Sequence, residues 1–150
     1  MTNISPIPQG FHSVTPYIIA SDASKLIDFL KQAFDAKEID RFETENSIMH
    51  AKVQIGDSKI MISDSNQNMK PMPCFLYLYV ENVDETYKNA LLAGATSMRE
   101  PTDEFYGDRG AGVLDSAGNN WYIATHKKDI SREELKRLAE EQMKKIQNKD

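Results

Sequence analysis

One cysteine, one tryptophan and no excess of basic residues set the first limits on this 150-residue chain. Cys74 alone cannot form an internal disulfide, so nothing in the sequence ties the chain to an oxidising compartment. Eighteen Lys and Arg stand against 23 Asp and Glu, a net charge of -5. A nucleic-acid binder needs a basic face for its phosphate contacts, so no nucleic-acid partner is expected. The longest nearly apolar run, Cys74 to Val80, is too short to span a bilayer, and no membrane partner is expected either. Met1 to Gly10 has no basic start and no apolar run, so a leader peptide is not expected there and the default location is cytoplasmic. Also missing are a Ser-His-Asp set, a phosphate loop and a paired-cysteine motif.

What is present suits a folded domain: 40% hydrophobic and 27% charged residues in a length that buries a real core. Val14 to Ala20 is β-rich and reads as a strand. Asp22 then offers an N-cap to a helix in which Leu26, Ile27, Leu30, Ala33 and Phe34 recur at helical spacing. Strands are predicted at Glu38 to Glu43, Ile48 to Ile55 and Ser58 to Ser63, the last two joined by a Gly56-Asp57 turn. Polar residues from Asp64 to Lys70 and two prolines form a connection.

The order then restarts. Phe75 to Val80 is a strand, Val83 to Ala93 a helix stopped by Gly94, and Gly110 to Leu114 and Asn120 to Thr125 are strands. One further strand lies somewhere between, in the stretch to Arg109. Aligning Asp35 with Gly94 and Gly56 with Gly118 gives offsets of 59 and 62 residues, which favours an internal duplication. Ser131 to Glu134 is a capping box opening a helix to about Gln147, which packs either on its own domain or on a partner subunit.

Two β-α-β-β-β units, an Asp-headed first helix and a last hairpin of the form D-x-x-G-N-x-W resemble the vicinal oxygen chelate superfamily. That group includes glyoxalase I, bleomycin and fosfomycin resistance proteins and extradiol dioxygenases. Its PhnB-like branch is the closer resemblance, carried by GFHSVTPYIIA, IMHAKVQIGDSKIMISD, YLYVENVDETYKNALLAGAT and FYGDRGAGVLDSAGNNWYIATH over roughly residues 6 to 130. The resemblance implies an α+β fold, with two βαβββ modules (about 11–64 and 74–126) forming an open barrel-like mixed sheet with a cleft. It implies a glyoxalase/bleomycin-resistance-like domain over 1–130 and pairing as a homodimer, and leaves the helical tail at 131–150 unexplained.

Catalytic members of the superfamily hold a divalent metal in the cleft. The resemblance places the ligand positions at Thr15, near Lys52, at Phe75 and at Tyr122. Phe75 has no lone pair and Lys52 adds positive charge, so this is a poor donor set and no metal cofactor is expected.

Alternation along the strands, with the cleft face taken as the one that carries the ligand positions the resemblance implies, assigns Thr15, Tyr17, His50, Lys52, Phe75, Tyr77 and Tyr122 to the cleft. Ile48 is expected beside His50, with Met49, Ala51, Val53 and Ile55 packing against helix. Phe75 and Tyr79 are expected to fill the core, while the polar tips of the others favour a pocket. In the segment Glu104 to Arg109, Phe105 or Tyr106 could stack on a ligand and Arg109 bind an anionic group. Alternatively, Asp108 and Arg109 pair and pin the loop.

The expectation is a metal-free protein that binds a small organic molecule through Thr15, Tyr17, His50, Lys52, Tyr77, Phe105, Arg109 and Tyr122. Two alternatives stand beside it. One is a metal-dependent lyase or transferase, the other a metal-free acid–base enzyme with His50 as its base.

Overall fold

The computed structural model describes residues 3–148. Residues 1–2 and 149–150, which the expected domain and tail include, lie outside the described residues. In chain order the elements are β1 (Tyr17–Ala20), α1 (Ala23–Phe34), β2 (Lys37–Thr44), β3 (Ser47–Ile55), β4 (Ser58–Asp64), β5 (Phe75–Tyr79), α2 (Val83–Leu92), β6 (Thr96–Asp103), β7 (Asp108–Leu114), β8 (Asn120–His126) and α3 (Arg132–Gln147).

The strands form two four-stranded mixed sheets, not one closed barrel: β1-β4-β3-β2 and β5-β8-β7-β6. In each, the first strand of a module pairs in parallel with its last, and the other pairs are antiparallel. The duplication is visible residue by residue. One row across the first sheet runs Tyr17, Met61, Lys52, Asp40. Its counterpart in the second runs Tyr77, Tyr122, Gly112, Arg99, at offsets of 60, 61, 60 and 59 residues.

Helix chemistry repeats with the rows. The side chains of Asp22 and Asn82 accept from the backbone of Lys25 and Glu85, three residues on. Asp64 and Thr125, near the ends of β4 and β8, accept from the backbone N–H of Ala23 and Val83 at the starts of the helices. Past the helix ends, Asp35 (φ 54) and Gly94 (φ 107) both take the left-handed conformation.

Leu26, Ile27 and Leu30 of α1 are fully buried, each worth about 1.5–3 kcal/mol of transfer from water. They share one core with Val53 and Ile62 of the first sheet, Val83 of α2, and Val113 and Ile123 of the second sheet. Phe34 at the end of α1 reaches Trp121 in β8, ring centroids 4.9 Å apart. The two modules are therefore joined through their helical sides, and the sheet faces without a helix are open.

Two details depart from the sequence reading, and a third locates a strand that it expected but left unplaced. The first strand begins at Tyr17, after Pro16, whose carbonyl accepts from Met61. Between β2 and β3 the register shifts: Phe42 pairs with His50 but Glu43 pairs with Ile48, so Met49 is the extra residue. Such a bulge inverts the alternation, leaving Ile48 buried and Met49 64% exposed, the reverse of the expectation. The stretch before Arg109 folds as β6, with a register shift between Arg99 and Thr102 where Pro101 lacks a donor.

The D-x-x-G-N-x-W hairpin has a structural reason. Buried Asp115 accepts from the backbone of Ala117 and Asn119, the Asn119 amide and the Trp121 indole, while Asn119 Oδ1 accepts from Cys74 and ties down the approach to β5. Helix α3 is capped by Ser131 as expected, but none of its residues is buried. Among the described residues, no helix is long and apolar enough to cross a membrane.

Candidate functional site

The open face of the second sheet carries a wall of tyrosines. Alternation on β5 turns Phe75, Tyr77 and Tyr79 to this side, and Tyr122 stands beside Tyr77 in register. Phe75 is 70% and Tyr79 61% exposed, so neither fills the core as the sequence reading expected. Ring centroids lie 5.1 Å apart for Tyr77 and Tyr79, and 5.0 Å for Tyr77 and Tyr122. Gly110 makes room for the wall: a Cβ there would lie 2.4 Å from Tyr122 Cε1.

At the base of the wall lies Asp108, only 4% exposed. Its Oδ2 accepts from the Tyr77 hydroxyl at 2.7 Å and the Tyr79 hydroxyl at 2.9 Å. Its Oδ1 meets His126 Nδ1 at 2.7 Å, and Nε2 of the same ring meets Asp129 at 2.7 Å. Tyr122 donates to Glu104, whose Oε1 also pairs with Arg99 at 3.0 Å. The Tyr106 hydroxyl is 3.4 Å from that of Tyr77.

Charge settles into this network in a definite way. Burial works to raise the Asp108 pKa, but bonds from His126, Tyr77 and Tyr79 outweigh it and hold the carboxyl below its ordinary value. Hydrogen bonds to Asp108 and Asp129 raise the His126 pKa above 6.5. Burial and the bonds to Tyr106 and Asp108 push Tyr77 far above the usual phenol range. Burial and Glu104 do the same to Tyr122. These phenols stay protonated, and both His126 nitrogens are engaged. The arrangement suits binding better than proton transfer.

Tyr17, His50 and Lys52 lie on the open face of the first sheet. Tyr17 Oη is 3.3 Å from His50 Nδ1, and Lys52 stands 3.5 Å from Asp40 and over the Phe11 ring. Thr15 precedes β1 and is half-buried. No hydrogen bond among the described residues links this set to Tyr77 and Tyr122. Phe105 packs edge-on against Tyr106 in the turn before β7.

Arg109 points the other way. It shares the helix side of β7 with Ala111 and Val113, and grips Asp84 of α2 with two bonds of 2.9 and 3.0 Å, and Asp103 with a third. It is not paired with Asp108, because neighbours on a strand face opposite sides.

Asp108 and Glu104 escape the sequence reading because the segment before Gly110 reads as a loop, Tyr79 because it reads as core, and His126 because it falls just past the expected end of the last strand. Carrying the alternation of β7 back from Gly112 and Gly110 reaches Asp108, and that signal was available.

The metal positions implied by the resemblance do not fit a divalent ion. Lys52 is an ammonium beside Asp40, Phe75 offers a phenyl ring, and the Tyr122 proton is held by Glu104. Among the described residues, no three His, Cys, Asp or Glu side chains converge as a metal cluster.

Beside the free edge of β5 runs a groove of about 960 Å³, within the usual range of small-molecule sites. Tyr77, Tyr79 and His126 line one side, and the Gly56-Asp57-Ser58 turn of the first module lines the other.

Comparisons with known proteins agree with this architecture. The family model described as Glyoxalase/Bleomycin resistance protein/Dioxygenase superfamily matches residues 10–123. An uncharacterized protein of Mycobacterium bovis is 29% identical, the match covering 82% of this chain and 89% of the relative. The crystal structure of TioX from Micromonospora sp. ML1 superposes with a TM-score of 0.63 at 20% identity, over 76% of this chain and 99% of that one. A glyoxalase/bleomycin resistance protein/dioxygenase family enzyme from Burkholderia phytofirmans gives 0.60 at 22% identity, over 73% and 94%. At these identities the solved structures speak for the fold alone.

Proposed function

This chain belongs to the glyoxalase/bleomycin resistance protein/dioxygenase superfamily, and we propose that it binds a small organic molecule on the tyrosine wall of its second sheet, without a metal. The observation that carries the reading is the set of Tyr77, Tyr79 and Tyr122, with hydroxyls anchored on Asp108 and Glu104, the rings of Tyr77 and Tyr79 left open to solvent and that of Tyr122 half-buried beside them. An ordinary core buries its aromatic rings; a pre-arranged, half-open aromatic face beside a groove is what a ligand site requires.

We place the chain in the PhnB-like branch on the segments quoted above, as a glyoxalase-like domain over 1–130 with a helical tail, and in the cytoplasm. We propose a homodimer as well. Phe42, Met49 and Phe75, none of them a ligand-contacting residue in this reading, are each more than 60% exposed. A second copy would cover them, and light scattering at micromolar concentration should give twice the monomer mass.

Binding is favoured over acid–base catalysis by His50. That ring meets Tyr17, while Tyr77 is bonded to Asp108 on the other sheet. The test is a thermal-shift screen of cationic, neutral and anionic small molecules in the presence of chelator, with hits mapped by NMR. Hits should perturb Tyr77, Tyr79 and Tyr122. If every saturable hit maps elsewhere, the reading fails.

A further inference from the structure

We propose that the groove beside β5 selects an organic cation bearing N–H donors: an amine, amidine or guanidine on a flat or aliphatic frame. The inference rests on the small-molecule reading above and names the chemical class of the ligand.

The argument is an accounting of protons. A phenol has one proton to give. Asp108 is a buried carboxylate and only accepts, so Tyr77 and Tyr79 must both donate to its Oδ2. Tyr122 likewise donates to Glu104. With the Tyr77 proton committed, the 3.4 Å contact with Tyr106 is made by the Tyr106 proton. Four hydroxyls thus spend their protons inside the network, and the two of them in the groove lining, Tyr77 and Tyr79, leave only lone pairs for a ligand. A bound carboxylate or phosphate would find no donor among these hydroxyls, whereas an N–H cation matches their free lone pairs.

Two independent features agree. Rings whose hydroxyls are bonded to carboxylates present electron-rich faces, and three such rings stand about 5 Å apart in a row. The groove lining holds three carboxylates, Asp35, Asp57 and Glu81, and no lysine or arginine. None of these three takes part in an ion pair among the described residues. The one basic group in the lining, His126, has both nitrogens bonded to aspartates. Arg109, the residue that would have favoured an anion, is bonded to Asp84 and Asp103 on the opposite side of β7.

The experiment uses three nearly isosteric probes of different charge: benzamidine hydrochloride, benzamide and sodium benzoate. Each is titrated into the full chain carrying ¹³C-labelled tyrosine, and the ring signals of Tyr77 and Tyr79 are followed by NMR. Benzamidinium should shift both saturably and bind at least about tenfold more tightly than benzoate. Asp57→Asn with Glu81→Gln, both exposed and outside the core, should shrink that ratio. Equal or tighter binding of benzoate or benzamide at the same signals overturns the cation proposal and leaves the small-molecule site standing. Absence of a saturable benzamidinium shift also overturns it. Whether the site falls too is then read from the neutral and anionic members of the screen.

Discussion

Asp108 and His126 are cross-strand partners in the β7–β8 register, and their side chains meet at 2.7 Å. The carboxylate is nearly buried, the imidazole half exposed, and Asp129 holds the far side of the ring. One imidazolium therefore joins the base of the tyrosine wall to the segment leading into α3.

That pairing makes stability depend on pH in a direction that can be worked out. The His126 pKa is raised above 6.5, so its contribution is complete below 6.5 and is lost as pH rises through the folded value. The Asp108 pKa is held below 3.8, so its contribution is present above 3.8 and is lost as pH falls through the folded value. Tm should be flat between roughly pH 4 and 6.5 and decline on both sides. The alkaline slope should be shallow, because solvent screens the exposed ring. His126→Gln should lower Tm at pH 6 and remove the alkaline slope. Calorimetric scans across pH 3–9 check this.

Gly110 is the position where the tyrosine wall is most sensitive. An added methyl group would overlap the Tyr122 ring, which Glu104 holds in place. Gly110→Ala should cost about 1–3 kcal/mol and weaken ligand binding. In the Tyr122→Ala background the same change should cost markedly less, since the clash is gone. Urea denaturation of the four proteins measures the coupling.

Arg109→Gln separates an architectural residue from a site residue. It should lower Tm modestly through loss of the bonds to Asp84 and Asp103, and leave the affinity of any hit from the screen unchanged. A large loss of affinity at unchanged Tm would return Arg109 to the site.

Asp115→Ala tests the motif on which the family resemblance rests. Four donors, three of them buried, lose their acceptor, so the cost should be about 3 kcal/mol or more by chemical denaturation.

The fold was legible because its signals are local and repeated. Helical spacing at Leu26, Ile27 and Leu30 and the Asp22 cap are each set by a few neighbouring residues, and the turns at Gly56 and Gly118 recur 62 residues apart. The site was legible only where strict alternation holds. Tyr77 and Tyr122 follow from the period of two; Met49 breaks it with a bulge, and its exposure depends on pairing with β2, which β3 alone does not encode. Asp108 was hidden by the glycines on either side of it, which mimic a loop. The orientation of Arg109 was fixed by Asp84, 25 residues away in sequence.

The most direct test of the central claim, a ligand site in this fold that works without a metal, is calorimetric titration of Ni²⁺, Zn²⁺ and Mn²⁺ into chelator-treated protein. Elemental analysis of protein purified without a metal-binding tag accompanies it. The donor set at Thr15, Lys52, Phe75 and Tyr122 predicts no tight, saturable uptake of any of the three and no metal copurifying in stoichiometric amount. One equivalent of metal bound tightly per chain would contradict the account and place the lyase or transferase reading first.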